Sequence, residues 1–288
     1  MARFIGCRPK SLPSARIITA AQRAVTINPA NSPSGQRLNG LGLAPTQLKL
    51  AIATEKYWGK KGTRLTVGFL EHAAPALAKK IIQHLNAWGK SANILFRASQ
   101  TDPQVRIAFR DHPPSDAGFW SYVGTDILEI APHEPTMNLE GFTVNTPDKE
   151  FHRVVRHEAG HTLGFEHEHM RRQIVARIDR AKAIAFYRRD QGWDEQAVDA
   201  QVLTPLEDSS IMGTPNADET SIMCYDIPGE ITLDGKPIVG GNDINATDFA
   251  FAGLKYPKPK KKPKGKKPKP KKPKGKSAKG TNRKKKSG

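Results

Sequence analysis

Residues 63–70, Thr-Arg-Leu-Thr-Val-Gly-Phe-Leu, set apolar side chains at alternate positions from Leu65 to Phe69, the period of a strand with one buried face. The period then changes. Leu77, Ile81, Leu85 and Trp88 recur at intervals of four, four and three, which predicts an amphipathic helix starting near Pro75 and packing one face on a sheet. Residues 93–98 and 105–110 read as two further strands, parted by the turn signal Thr101-Asp102-Pro103. A second helix is announced by Thr146-Pro147-Asp148, with Pro147 at its first position and the acids Asp148 and Glu150 in its first turn. Its buried face is Phe151, Val154 and Val155, so His157 and His161 look the other way. Helical spacing returns over residues 177–190, with Ile178, Ala181, Ala185 and Phe186 as apolar positions. A closing helix begins at Thr247-Asp248, where Phe249, Phe251 and Leu254 supply its anchors.

The chemistry is concentrated in residues 157–167, His-Glu-Ala-Gly-His-Thr-Leu-Gly-Phe-Glu-His. Positions four apart on a helix share a face one turn from each other, so His157 and His161 can offer ring nitrogens to one metal ion. Glu158 falls on the flank, beside the metal without ligating it, where a general base belongs. Gly164 can take the left-handed conformation that ends a helix and turns the chain back, bringing His167 in as third ligand. Three histidines leave a fourth position for water, the mark of a catalytic zinc site; structural sites are closed by four protein ligands, often cysteines, and this chain has only Cys7 and Cys224. One zinc per chain and hydrolysis of a peptide bond is the reading this pattern favours. The remaining histidines, His72, His84, His112, His133, His152 and His169, lack ligand spacing and read as surface or packing residues.

The run His157-Glu158-x-x-His161-x-x-Gly164-x-x-His167 resembles the zinc signature of the metzincin metallopeptidases, and Ser221-Ile222-Met223-Cys224-Tyr225 resembles their Met-turn. Gly164-Phe165-x-His167-Glu168-x-x-Arg171 is similar to the longer pattern of the astacins, as is a tyrosine two residues after the methionine. The resemblance implies an α+β fold of two subdomains: a twisted mixed sheet with the active-site helix above, and a mainly helical or irregular part below. It implies that Met223 lies beneath the histidines and that Tyr225 approaches the metal or stabilises an oxyanion. Glu168 is implied to contact the amino terminus exposed by activation, and residues 135–142 to lie where an edge strand pairs with an extended substrate. Cys224 departs from the astacin pattern, as do Arg172-Gln173-Ile174 and the missing disulfide cysteines. Glycine-rich calcium-binding repeats of the serralysin kind are absent, so a divergent single-domain relative is expected.

Composition changes the picture only at the ends. Of 46 basic residues, 17 lie in residues 257–288, which hold sixteen lysines and Arg283 without one acid. The rest of the chain is near neutral, with 29 basic against 28 acidic residues, so the tail supplies +17 of the +18 net charge. Lysine interleaved with proline and glycine cannot bury enough apolar surface to fold. As a disordered polycation it would contact nucleic acid, an anionic surface polymer or acidic lipid through charge alone. Residues 1–54 hold seven basic residues and no acid, with no apolar stretch of signal-peptide length and no transmembrane segment; a propeptide-like or targeting segment is expected there, and the compartment stays open. Cys7 could cap the metal as a thiolate in a latent form, as propeptide cysteines do in some metzincins, although its flanking residues do not match theirs. The expected organisation is therefore an extension over 1–54, a catalytic domain over 55–256 acting on protein or peptide as a monomer, and a tail over 257–288. The rival reading is a polyanion-binding protein whose zinc site is inactive or structural. Glu158 separates the two, because a structural site has no use for a base.

Overall fold

A computed structural model describes residues 7, 10–33, 51, 54–113, 116–205 and 217–259. Met1–Lys258 forms one compact unit; the lysine-rich tail beyond Pro259 lies outside the described residues.

The strands are β1 (Thr63–Phe69), β2 (Ile94–Ala98), β3 (Val105–Ala108), β4 (Phe119–Ser121) and β5 (Met137–Leu139). They lie in the order β2-β1-β3-β5-β4, all parallel except β4, which runs antiparallel to β5. The fold is thus α+β with a mixed sheet. Residues 137–139, expected as an edge strand, lie inside the sheet between β3 and β4. The true edge, β4, is only three residues long and carries too little periodicity to be read from sequence. Asn138 reinforces this corner by donating to the carbonyls of Arg110 and Gly118 at 2.8 and 2.7 Å.

The helix α1 (Ser14–Ile27) precedes the sheet, and α2 (Pro75–Leu85) crosses it with Leu77, Ile81 and Leu85 buried. Trp88 follows in a short 3-10 turn and is buried as its spacing predicted. The second helical run, α3, starts at Asp148–Glu150, widens to a π turn over Phe151–Val155 and tightens to α-helix over Arg156–Thr162. Pro147 is its N-cap rather than its first helical residue. Phe151, Val154 and Val155 point into the core with β1, β3 and α2, as expected.

Below the site, α4 (Arg180–Gln191) begins one residue after Asp179, whose side chain caps it by accepting from the Lys182 N–H at 3.1 Å. That start sets the helical phase. Ala183 and Tyr187 face inward, whereas Ala181 and Ala185, expected inside, are exposed. A separate cluster of Ile174, Ile178, Tyr187, Trp193, Val198 and Ile227 forms this lower core. The last helix, α5 (Ala246–Lys255), buries Phe251 and half-buries Phe249, but Leu254 is 70% exposed. Tyr256 takes the anchoring part: its ring is fully buried, its hydroxyl donates to the Leu163 carbonyl and accepts from the Trp58 N–H.

Candidate metal centre

The end of α3 is held from several sides before any chemistry begins. The Trp88 indole donates to the Arg156 carbonyl at 2.8 Å, the Trp58 indole to the Thr162 carbonyl at 2.9 Å, and Ser121 of β4 shares a 3.0 Å hydrogen bond with Thr162. Gly164 has φ +93°, and a Cβ there would come within 3.1 Å of the Lys56 carbonyl. The glycine both ends the helix and lets the chain fold back under residue 56.

The reversal brings three rings together. The Nε2 atoms of His157, His161 and His167 are separated by 3.1, 3.1 and 3.0 Å, and all three residues are buried. His157 Nδ1 donates to the Ile222 carbonyl at 2.6 Å and His161 Nδ1 to the Phe165 carbonyl at 2.8 Å. With the proton held on Nδ1, both Nε2 atoms present lone pairs to the same point. Burial keeps the rings neutral: His157 is lowered to about 4, and His161 and His167 fall well below the usual histidine range for the same first cause. Neutral imidazoles whose lone pairs converge at this spacing fit a tetrahedral cation, for which Zn–N bonds of about 2.0–2.1 Å put neighbouring nitrogens about 3.3 Å apart.

Glu158 sits beside them with both carboxylate oxygens buried and neither meeting a hydrogen-bond donor in good geometry. Burial pushes its carboxyl up to about 8, offset in part by the Cys7 thiol and the Arg153 cation. Met223 is fully buried against α3, where a Cβ on Gly160 would come within 2.4 Å of its sulfur. Its turn is pinned by Asp248 of α5, whose carboxylate accepts from the Ser221 hydroxyl at 2.6 Å and the Ile222 N–H at 3.0 Å. Ser221 in turn accepts from the Met223 N–H at 3.0 Å. Gly160 and Asp248 were absent from the expected site. The capping box Asn245-x-x-Asp248 was a readable signal for the helix start, but not for the turn that Asp248 also holds.

A fourth donor atom comes from the amino-terminal part of the chain. Cys7 Sγ falls in one cluster with the three ring nitrogens, every pair of ligand atoms within 4.8 Å. Cys7 forms a parallel bridge to Phe119 and Lys10 to Tyr122, and the Lys10 N–H donates to the Ser121 carbonyl at 3.2 Å, so both residues pair with the outer side of β4 and the residue after it. Behind it α1 packs Ala20, Ala21 and Ala24 inward. Buried Asn31 ties it down by donating to the carbonyls of Ala24 and Tyr57 at 3.0 and 2.8 Å.

Tyr225 is buried against His167, with ring centroids 4.3 Å apart, and its hydroxyl donates to the Cys7 carbonyl. His169 stacks on the Tyr225 ring at 3.9 Å and lies 4.8 Å from the His167 ring, so the three rings pack together. Glu168 is also fully buried; Oε1 accepts from the Asp218 N–H at 3.1 Å and lies 3.4 Å from Arg171 Nε, and Oε2 has no hydrogen-bond partner among the described residues. Two of the histidines expected to be inert, His84 and His152, meet at Asp148, but the Arg156 guanidinium reaches both rings at 3.3 Å and Lys80 lies 3.3 Å from the same carboxylate. Cations already occupy that corner.

No family model and none of the curated proteins matches the chain. Solved structures do. It is similar to one structure of myroilysin at 32% identity and a TM-score of 0.64, covering 71% of this chain and 97% of that one. A second structure of myroilysin is 28% identical with a TM-score of 0.54, covering 88% and 100%. The hatching enzyme zinc-protease high choriolytic enzyme 1 of Oryzias latipes, the medaka fish, is 16% identical with a TM-score of 0.46, over 69% and 93%, a likeness too slight to argue from.

Proposed function

The chain belongs to the astacin-like metzincins, and on that footing we propose that it is a zinc-dependent endopeptidase, held latent by its own amino-terminal segment. The observation that carries the first part is the convergence of three buried Nε2 atoms within 3.1 Å beside the buried Glu158 carboxylate. His157, His161 and His167 would hold the ion. When bound, zinc supplies a Lewis acid that acidifies a water and polarises the scissile carbonyl. Glu158 accepts the proton of the attacking water and returns it to the leaving amine nitrogen, a task for which its raised affinity for protons suits it. Tyr225, once the Cys7 carbonyl is withdrawn, has a hydroxyl to donate to the oxyanion. Met223 and Gly160 pack the floor that keeps the rings in place.

Replacing Glu158 by glutamine removes the base and no ligand. Glu158→Gln should therefore retain about one zinc per chain by elemental analysis while peptide cleavage falls at least about a hundredfold. A variant that cleaves as well as the native chain sinks the mechanism.

Latency rests on Cys7, whose sulfur lies within 4.8 Å of the three ring nitrogens. Zinc deprotonates a thiol that coordinates it, so a thiolate there would exclude water and fill the tetrahedron. In the full-length chain Cys7→Ala is expected to raise cleavage of a small peptide at least about tenfold. An unchanged rate would mean that the segment does not restrain the site.

A further inference from the structure

Cys7 and Lys10 make parallel bridges to Phe119 and Tyr122, and the side chain of Lys10 has a place built for it. Its Nζ is 3.2 Å from Asp116 Oδ1 and stands 4.6 Å from the centroid of the Trp120 ring. Trp120 is buried and its indole N–H donates to the Asp116 carbonyl at 2.8 Å, so ring and carboxylate are held as one unit. Asn138 donates to the same carbonyl at 3.0 Å. The other carboxylate oxygen lies 3.4 Å from Arg110 Nη1, whose Nε is 3.3 Å from Glu71 Oε1; Oδ1 is the one turned toward Lys10. An aromatic face combined with a partly buried carboxylate selects a long side chain that ends in a cation.

We infer that Asp116 and Trp120 form a specificity subsite for a basic side chain, lysine or arginine, of an extended peptide substrate, three residues from the bond that is cut. The inference rests on the peptidase reading above and adds the substrate class. Cys7 clusters with the three imidazoles and bridges to Phe119, whereas Lys10 bridges to Tyr122, three positions further along that strand and about 10 Å away at strand rise. A substrate that displaced the segment from this edge would meet the same main-chain groups, among them the Ser121 carbonyl that now accepts from Lys10. Its side chain at the corresponding position would meet the same ring and carboxylate.

The test uses the zinc-loaded full chain carrying Cys7→Ala and a set of otherwise neutral peptides. In each, one lysine stands at a different position from four residues before to four after the bond, paired with a control that has norleucine there. The expected result is a roughly tenfold advantage in kcat/KM for lysine over norleucine at one position three residues from the cut, on whichever side the binding direction places it. The advantage should shrink in 0.5 M NaCl, a measurement that needs no further variant. Adding Asp116→Asn should bring the lysine-to-norleucine ratio close to one. No lysine advantage at that distance, or one that survives both high salt and Asp116→Asn, overturns the subsite while leaving the peptidase reading intact. Cleavage of neither peptide overturns the peptidase reading itself, and the subsite with it.

Discussion

Gly160 and Glu168 show two ways in which single residues constrain this site. Gly160 lies between the two helical histidines, and any side chain there would collide with the Met223 sulfur; in the motif it occupies a position that sequence spacing treats as arbitrary. Glu168 was legible as a site residue only through the astacin resemblance, and its environment explains why it is unusual. Burial, with Asp218 and Asp248 adding to it, pushes its carboxyl up from 4.5 to about 7 against the opposing Asp218 N–H and Arg171. A carboxyl whose folded pKa lies above its unfolded one binds more protons in the native state between those two values. Stability from this group is therefore present below about 4.5 and lost as the pH rises through about 7. Thermal melts of metal-free protein should show this falling contribution over that interval, and Glu168→Gln should flatten it. A slope left unaltered by the substitution would place the titration elsewhere.

At the scale of elements, the Met-turn is held by a helix that begins more than twenty residues later. Asp248 accepts three main-chain or hydroxyl hydrogen bonds, from Ser221, Ile222 and Asn245, while capping α5. The Ile222 carbonyl in turn accepts a hydrogen bond from His157 Nδ1, so the turn orients one of the three clustered imidazoles. Asp248→Ala would strand buried donors on the turn and is expected to destabilise the fold by about 3 kcal/mol in chemical denaturation. It should also weaken zinc binding by roughly tenfold or more, read by competition with a chelator. Loss of stability without loss of affinity would show that α5 supports the turn but not the ring. Strong periodicity made β1, α2 and the start of α3 readable. The three-residue β4 and the phase of α4 were not, because pairing at a sheet edge and a single cap at Asp179 decided them.

At the scale of the molecule, charge and catalysis are segregated along the chain. The near-neutral body carries the site, and residues 257–288 carry 17 positive charges. Truncation after Tyr256 is expected to leave cleavage of a small neutral peptide unaffected while lowering the salt concentration at which the protein elutes from heparin or DNA. Equal retention by both forms would remove any binding role from the tail. Among the described residues no helix is long and apolar enough to cross a membrane. What the sequence determined by itself was local: two histidines four apart, a glycine and a third histidine at set intervals, and a flanking glutamate are governed by helical geometry, which residue spacing encodes directly. Tertiary structure alone decided that Cys7, 150 positions before the first of those histidines, comes within 4.8 Å of their ring nitrogens and that Lys10 meets Asp116. Those contacts depend on how an amino-terminal segment lies against a sheet edge, through main-chain hydrogen bonds that any residue can make and that leave no pattern in the residues themselves.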